Sequence, residues 1–349
     1  MKTDSVMFKI KTNSASLESL YHEAMAIEEK CQDYRLSNLM QNLKFMDNGN
    51  LTFLGDELAT TKLASVTTVE KEDVPVLPIA LSQLCTRIGV PASYASKCLD
   101  AGKEKLFARN MNEWLLEQPE DSSALVRMYD GNVRGFLSSR YTSYDSPYVI
   151  RNIMDNIDED EFVIKGHFLN ETNFHIRMIK KERMHVDNED LYAGLSISSS
   201  DVGVGSLNVN FFIYKQVCSN GLIVSKIGGR LLRQRHIGID GKQFELALNE
   251  VYTKFDDICK NVESIISKAK SEFWDEKEIE NYIMKATKEA KLTKKQQERV
   301  LELAKTRYIS SNGSVSKWGI INGLTEVAQE MNFDRQIEVE TYAGNLLSA

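Results

Sequence analysis

The chain has no acidic residue between Val202 and Ile239, although acidic residues exceed basic ones overall and the formal net charge is -7. The same segment carries a group of basic side chains: Lys215, Lys226, Arg230, Arg233, Arg235 and His236. Positive charge confined to one segment of an acidic protein indicates a local site for a polyanion. The acidic remainder argues against nonspecific coating of DNA, because it repels phosphates elsewhere.

Proline, cysteine and long apolar runs are also scarce. With five prolines and no low-complexity tract, a long flexible linker is not expected. The five cysteines form no CxxC pair, so we expect buried free thiols. No apolar run is long enough to span a membrane, and the polar N-terminus lacks the core of a signal peptide. We therefore expect a cytoplasmic protein with no membrane partner.

Apolar residues at helical spacing predict helices in the N-terminal part of the chain. One or two amphipathic helices are expected within residues 16–46. Residues 51–79 are rich in Thr and Val, which favours short strands and turns. Residues 79–100 are then expected to form two helices joined by a short corner, in which Gly89 ends the first helix and Pro91 begins the second.

The middle of the chain predicts hairpins. Period-two alternation begins at Ala124, where ALVRMYD and VRGFLSSRY flank the turn residues Asp130-Gly131-Asn132. A helix is expected from Ser146 to Ile157. Two further hairpins follow, EFVIKGHFL with NFHIRMIK and DLYAGLSISSS with SLNVNFFIYK.

The C-terminal third predicts helices again. The apolar stripe from Leu248 to Ala269 must bury one face. Packing on the sheet of the same chain is the simpler interpretation, and a helix–helix interface between copies, giving a homo-oligomer, is the alternative. Asp275 with Glu278, and Thr293 with Gln296, have the spacing of reciprocal helix caps.

Antiparallel hairpins with interspersed helices indicate an α+β fold, because the alternating order of a doubly wound sheet is absent. We expect a central antiparallel sheet built of hairpins with an inserted helix, flanked by an N-terminal helical corner and a C-terminal helical region. Residues 1–75 would form an appendage of helices then short strands, residues 76–240 the α+β core, and residues 241–349 a helical region packed on the core.

The basic segment combines cations with aromatic residues, which is the chemistry that single-stranded nucleic acid requires. We expect phosphates to be bound by Lys215, Lys226, Arg230, Arg233 and Arg235. Tyr214 or Phe212 would offer a face for base stacking, and Asn210 and Asn220 would add hydrogen bonds. The alternative interpretation is a hairpin whose aromatic side chains belong to the core and whose cations are solvated.

Motifs for catalysis or cofactor binding are lacking. DVGVGSLN and KIGGRLL contain no GK[ST] of a P-loop. His167 and His175 could face each other across a hairpin, but no Cys or carboxylate stands at ligand spacing. The run from Asp158 to Glu161 is typical of a solvated turn. We expect a non-enzymatic protein with no catalytic residue, metal or cofactor; a nuclease with carboxylates dispersed along the sequence is the alternative.

Two further segments offer contacts to nucleic acid. The corner LSQLCTRIGVPASYASKC has the form of a helix-turn-helix, with Ser93, Tyr94, Ser96 and Lys97 on the second helix. One cation is few for a DNA-reading helix, so a packing corner is the simpler interpretation. The tract from Lys285 to Arg307 is rich in lysine; much of it fits i, i+4 surface pairing, and its net positive charge would extend a nucleic-acid path.

Successive blocks of the sequence carry a family resemblance. They are LSQLCTRIGVPASYASKC with NMNEWL, VRGFLSSRYTSYD, VCSNGLIV with RHIG, and KWGIINGLTEVAQ. In this order they resemble the phage- and plasmid-borne family known as domain of unknown function 932, over Leu77 to Ala343. The resemblance implies a mobile-element setting, where genes for recombination, replication and evasion of host defence are concentrated, and it carries over no catalytic residue. The hairpin–helix–hairpin order is also loosely similar to single-strand annealing proteins.

Together these features predict a cytoplasmic phage or plasmid protein that binds single-stranded DNA in recombination or replication. An interaction protein that inhibits or modulates a host protein, such as a defence system, is the alternative; its acidic surface would partly mimic DNA. The choice between DNA and RNA stays open.

Overall fold

The computed structural model describes residues 16–54, 58–60, 66–67, 71–186, 189–215, 220–224, 232–234, 241–274, 276–309 and 313–347. In this part of the chain, antiparallel sheets are combined with helices. The fold is therefore α+β, as the hairpin pattern predicts.

The elements follow one another in two series. The first comprises α1 (Leu17–Glu28), β1 (Cys31–Ser37), α2 (Leu39–Asn42), β2 (Leu43–Phe45), β3 (Leu51–Phe53), β4 (Leu58–Thr60), β5 (Val66–Thr67), β6 (Lys71–Val74), α3 (Pro78–Ile88), α4 (Ala92–Asp100), α5 (Glu104–Leu116), β7 (Ser123–Tyr129) and β8 (Asn132–Ser138). The second comprises α6 (Ser146–Asn156), β9 (Phe162–Leu169), β10 (Asn173–Arg183), β11 (Leu191–Ser200), β12 (Leu207–Lys215), β13 (Asn220–Val224), β14 (Leu232–Gln234), α7 (Gly241–Ser271), β15 (Phe273–Trp274), α8 (Glu276–Glu289), α9 (Lys294–Arg307), β16 (Val315–Ser316), α10 (Lys317–Ala328) and α11 (Phe333–Leu347).

Two large sheets organise the described residues. A five-stranded sheet has the order β5-β4-β1-β7-β8, and a six-stranded sheet has the order β13-β12-β11-β10-β9, with β14 also paired to β12. Smaller sheets are β2-β3-β6 and β15-β16. In the β7–β8 hairpin, Asp130 and Gly131 have φ values of 48° and 80°, which match the two-residue turn that Asp-Gly favours. All three hairpins expected from the alternation are present.

The N-terminal segment differs from the sequence-based expectation. One amphipathic helix, α1, forms within residues 16–46, as the lower of the two expected numbers predicts, and α2 is a single turn between β1 and β2. Strand β1 was missed, since Asp33 interrupts its apolar pattern. This strand pairs with β7 along its whole length, from Cys31 opposite Tyr129 to Ser37 opposite Ser123. The pairing therefore crosses the boundary expected at residue 75.

Two hydrophobic clusters make up most of the core. The larger lies between one face of the six-stranded sheet and the helices α1, α6, α7, α10 and α11. The smaller joins α3, α4 and α5 to the five-stranded and three-stranded sheets. The stripe of α7 contributes Phe255, Ile258, Val262 and Ile266 to the larger cluster. This stripe is thus buried within the chain, in line with the simpler interpretation.

Helix ends follow the sequence signals. Gly89 ends α3 with φ 78°, a left-handed conformation in which glycine has no steric penalty. Pro91 lies at the N-cap, one position before α4 begins. Thr293 and Gln296 form the expected capping box at the start of α9. Asp275, the first residue of the other expected cap, lies outside the described residues.

Candidate functional site

The two faces of the six-stranded sheet differ in chemistry. On β12, Phe211 and Ile213 point into the larger cluster, whereas the alternate residues point to the opposite side. Cross-strand partners share a face, so the register assigns one set of side chains to this side. We call it the polar face, although Phe168, Ile179 and Ile223 also lie on it: His175, Arg177, Tyr192, Ser196, Ser198, Asn208, Asn210, Phe212, Tyr214 and Arg233.

Phe212 is the aromatic residue of the polar face that the structure places in the interior. Its side chain is 1% exposed and packs with Ile179 and Ile223. The guanidinium carbon of Arg177 lies 5.1 Å from the ring centroid. A base cannot reach the ring in this arrangement, so the sequence-based proposal of Phe212 as a stacking face is corrected.

Lys215 lies at the end of β12 on the side opposite the polar face. Its ammonium group is 2.9 Å from a carboxylate oxygen of Glu189, and both side chains are 14% exposed. Glu189 also accepts a hydrogen bond from Trp318 Nε1 at 3.1 Å. Its other basic neighbour is Lys270, at 3.9 Å. The charge of Lys215 is therefore compensated within the fold, contrary to the expected phosphate contact.

Tyr214 and Arg233 remain accessible on the polar face. Tyr214 is half-buried opposite Tyr192, and the ammonium group of Lys165 lies 5.5 Å from its ring centroid. Arg233 is exposed on β14 opposite Asn208. The ring of Tyr214 and the cation of Lys165 thus lie at one end of β12, and the amide of Asn208 and the cation of Arg233 lie at the other. Lys226, Arg230, Arg235 and His236 lie outside the described residues.

Arg177 is a residue that sequence reasoning missed. Its guanidinium group forms a buried ion pair with Glu340 of α11 and donates a hydrogen bond from Nε to His175 Nε2 at 3.2 Å. Burial, together with the charge of Arg177, holds the pKa of His175 well below its usual value of 6.5. An uncharged imidazole is the form that can accept this hydrogen bond. In the sequence, the position of Arg177 within the apolar stretch of residues 176–179 could have signalled such a partner.

The polar network of Arg127 and Arg134 occupies a second position, where the two large sheets meet. Arg127 is 1% exposed and donates to both carboxylate oxygens of Asp33, at 3.0 and 2.9 Å, and of Asp145, at 2.7 and 2.6 Å. Asp201, in the β11–β12 turn, accepts hydrogen bonds from the backbone N–H and hydroxyl of Ser146, at 3.1 and 3.0 Å.

Burial, reinforced by the charge of Asp145, raises the pKa of Asp201 to about 7, although Arg134 and Arg127 oppose the shift. The groups of this network are too deeply buried to contact a substrate. Their hydrogen bonds connect β1 and β7 of the five-stranded sheet to the β11–β12 turn of the six-stranded sheet.

The histidine pair considered as a metal site is separated by the strand register. His175 lies opposite Phe168, and His167 lies opposite Ile176, so the two imidazoles point to opposite faces of the sheet. No group of three or more His, Cys, Asp or Glu side chains in the described ranges could hold a metal ion. On the helical corner, Ser93, Tyr94, Ser96 and Lys97 are all exposed, and Tyr94 accepts a hydrogen bond from Asn110.

None of the helices within the described ranges is long and apolar enough to cross a membrane. Neither a curated protein nor a solved structure matches the chain. The family described as "Domain of unknown function (DUF932)" matches residues 134–347, from β8 to the end of α11. The chain therefore belongs to the family of domain of unknown function 932.

Proposed function

We propose that the chain is a non-enzymatic protein of a phage or plasmid that binds single-stranded DNA in recombination or replication. The observation that carries this proposal is the polar face, where Tyr214 and Asn208 of β12 lie with Arg233 of the paired strand β14, and where Lys165 of β9 reaches the ring of Tyr214. The opposite face of the same sheet is occupied by the hydrophobic core.

These groups supply the interactions that a single strand uses. Bases stack on aromatic rings irrespective of sequence, and each stacked base contributes about 1–3 kcal/mol. Tyr214 provides such a ring, with Tyr192 beside it. Lys165 and Arg233 attract phosphates, while Asn208 and Asn210 donate and accept hydrogen bonds. From Asn208 to Tyr214 the strand extends about 20 Å, since each residue adds about 3.3 Å.

The charge of the site sets a quantitative expectation. Each phosphate contact to a single strand contributes about -0.7 to the log–log slope of affinity against salt. Lys165 and Arg233 alone would give a slope of about -1.4 by this rule. If Lys226, Arg230 and Arg235 also bind phosphates, the slope would be about -3.5.

A fluorescence anisotropy titration with a 30-nucleotide DNA strand, repeated over a range of salt, tests the proposal. We expect binding at low salt that weakens in Tyr214→Ala and Arg233→Gln. Arg109→Gln is the matched control, because Arg109 is exposed on α5 and distant in sequence. Titration with RNA of the same sequence decides between the two nucleic acids. No binding of the wild type to either strand at low salt would overturn the proposal and favour the host-protein alternative.

A further inference from the structure

The turn between α8 and α9 gathers four lysines. Helix α8 ends at Glu289 and α9 begins at Lys294, so the connection is only four residues long. Lys291 in this connection has φ 53°, a left-handed conformation that is uncommon for a residue with a side chain. We call the exposed side chains at this turn the lysine corner: Lys288, Lys291, Lys294 and Lys295.

Among the residues that the structure describes, no ion pair compensates the positive charge of the lysine corner. Within the described residues, the ion pairs of α8 and α9 involve other cations, such as Arg299 with Glu302 and Lys305 with Glu280. The acidic residues next to the corner in sequence are Glu289, which accepts a hydrogen bond from Tyr342, and Glu298. Four lysines against these two carboxylates leave a net positive surface.

The position of this charge is unfavourable for the helix itself. Lys294 and Lys295 are the first two residues of α9, whose first turn contains no acidic residue. A cation at a helix N-terminus opposes the helix dipole and costs about 0.3–1 kcal/mol. Helix stability therefore does not explain these lysines. An anion bound at the corner would be attracted both by their charge and by the dipole.

Helix α11 connects the lysine corner to the polar face. At its start, Arg335 donates hydrogen bonds to the carbonyl oxygens of Ala290 and Lys291, at 2.9 and 3.2 Å. Further along, Ile337 packs on the cluster of Phe212 and Ile223. Glu340 then forms the ion pair with Arg177. Glu340 follows Arg335 by five positions, a rise of about 7.5 Å, and each residue turns the helix by about 100°. Arg335 therefore lies on the opposite side of α11 from Ile337 and Glu340, so a single helix, about 10 Å wide, separates the corner from the polar face.

We propose that the lysine corner is a second phosphate-binding surface, which holds the phosphodiester backbone of a strand that leaves the polar face. The inference rests on the proposed function. The corner is not expected to recognise individual bases, because lysines on a turn offer only point charges. Within residues 288–296, all of which the structure describes, no large apolar side chain is exposed for insertion into a lipid surface, so a membrane is disfavoured.

The test compares two variants that remove four charges each. One carries Lys288→Gln, Lys291→Asn, Lys294→Gln and Lys295→Gln; asparagine is used at residue 291 because it tolerates a positive φ. The control carries Lys44→Gln, Lys103→Gln, Lys105→Gln and Arg109→Gln, all at exposed positions of β2, α5 and the connection before α5. Circular dichroism verifies that both variants are folded.

We expect the lysine-corner variant to bind the 30-nucleotide strand at least tenfold more weakly than wild type. Its salt slope should become shallower by up to about 2.8, at about 0.7 for each of four contacts. A strand of about 8 nucleotides, which is long enough for the polar face alone, should bind both proteins equally. The control variant should retain the affinity and the slope of wild type.

Other outcomes separate the two proposals. If wild type binds no strand, the proposed function fails and the inference fails with it. If Tyr214→Ala and Arg233→Gln weaken binding but the lysine-corner variant does not, the inference alone is overturned. Equal losses in the two four-charge variants would also overturn it, since a general charge effect would then explain them. If the lysine-corner variant lost binding to phosphatidylserine vesicles but bound DNA like wild type, the inference would be overturned and the ligand of the corner would be a membrane surface.

Discussion

Arg177 on β10 and Glu340 on α11 form a buried ion pair, although 163 positions separate them in the sequence. Glu340 also accepts a hydrogen bond from Gln336 Nε2 at 2.8 Å, one turn earlier on the same helix. The guanidinium group of Arg177 lies over the ring of Phe212. This pair therefore fixes α11 against the six-stranded sheet and covers the ring of Phe212.

Removing one partner of this pair should be strongly destabilising. Arg177→Ala or Glu340→Ala leaves the other charge buried, which typically costs about 3–5 kcal/mol. Arg177→Met combined with Glu340→Leu should recover much of this loss, because no unpaired charge remains. Urea unfolding gives the free energies. Arg299→Ala, at an exposed pair with Glu302, is the control and should cost less than about 1 kcal/mol. A single-substitution cost as small as this control would contradict the structure.

The raised pKa of Asp201 predicts a specific pH dependence. Its pKa is about 7 in the folded chain, whereas the ordinary value is 3.8, so the folded state binds a proton that the unfolded state releases between these values. The contribution of Asp201 to stability should therefore be largest at low pH and decrease as pH rises from about 4 to about 7. Its charged neighbours in the buried network are Arg127, Arg134 and Asp145.

Asp201→Asn removes the titrating group and should flatten that part of the profile. The measurement is the free energy of unfolding of both proteins at pH 5 and pH 8. The buried His175 contributes with the opposite sign, because its depressed pKa favours the folded state at higher pH. This term is common to both proteins and cancels in their difference. Parallel profiles for the two proteins would contradict the assignment.

The contact between α11 and β13 depends on Gly344. A Cβ atom at this position would collide with the backbone carbonyl oxygen of Ile223, which cannot move without disturbing the strand. Gly344→Ala should therefore lower the free energy of unfolding by up to about 3 kcal/mol, the usual cost of overpacking. Gly205→Ala is the control, since the nearest atom there, Ser200 Cβ, is at an ordinary 3.6 Å. Similar melting behaviour of the two variants would show that α11 does not lie this close.

Lys215 and Arg233 should respond differently to the same substitution. Lys215→Gln breaks the contact with Glu189, so we expect a loss of about 1.5–3 kcal/mol in stability with little change in DNA affinity. Arg233→Gln should leave stability nearly unchanged and make the salt slope shallower by about 0.7. Unfolding and anisotropy titrations on both variants check this. If Lys215→Gln affected binding more than stability, the structural assignment of this side chain would be wrong.

The sequence by itself determined the local elements. Alternation of apolar residues located the hairpins of both large sheets, Asp130-Gly131 marked a tight turn, and Thr293 with Gln296 marked the start of α9. These signals depend on backbone preferences and on neighbours a few positions away, so they can be read without the fold. The ordered sequence blocks likewise indicated the family, which matches residues 134–347.

Only the tertiary structure decided what the polar side chains do. Asp33 is a buried partner of Arg127, which lies 94 positions away. The charge of Lys215 is compensated by Glu189, which lies in the connection between β10 and β11. From the sequence, Phe212 could offer an accessible ring for base stacking. In the structure, the guanidinium group of Arg177 covers this ring. Electrostatic pairing and burial depend on distances between residues remote in sequence, and those distances exist only after the sheets and helices have packed.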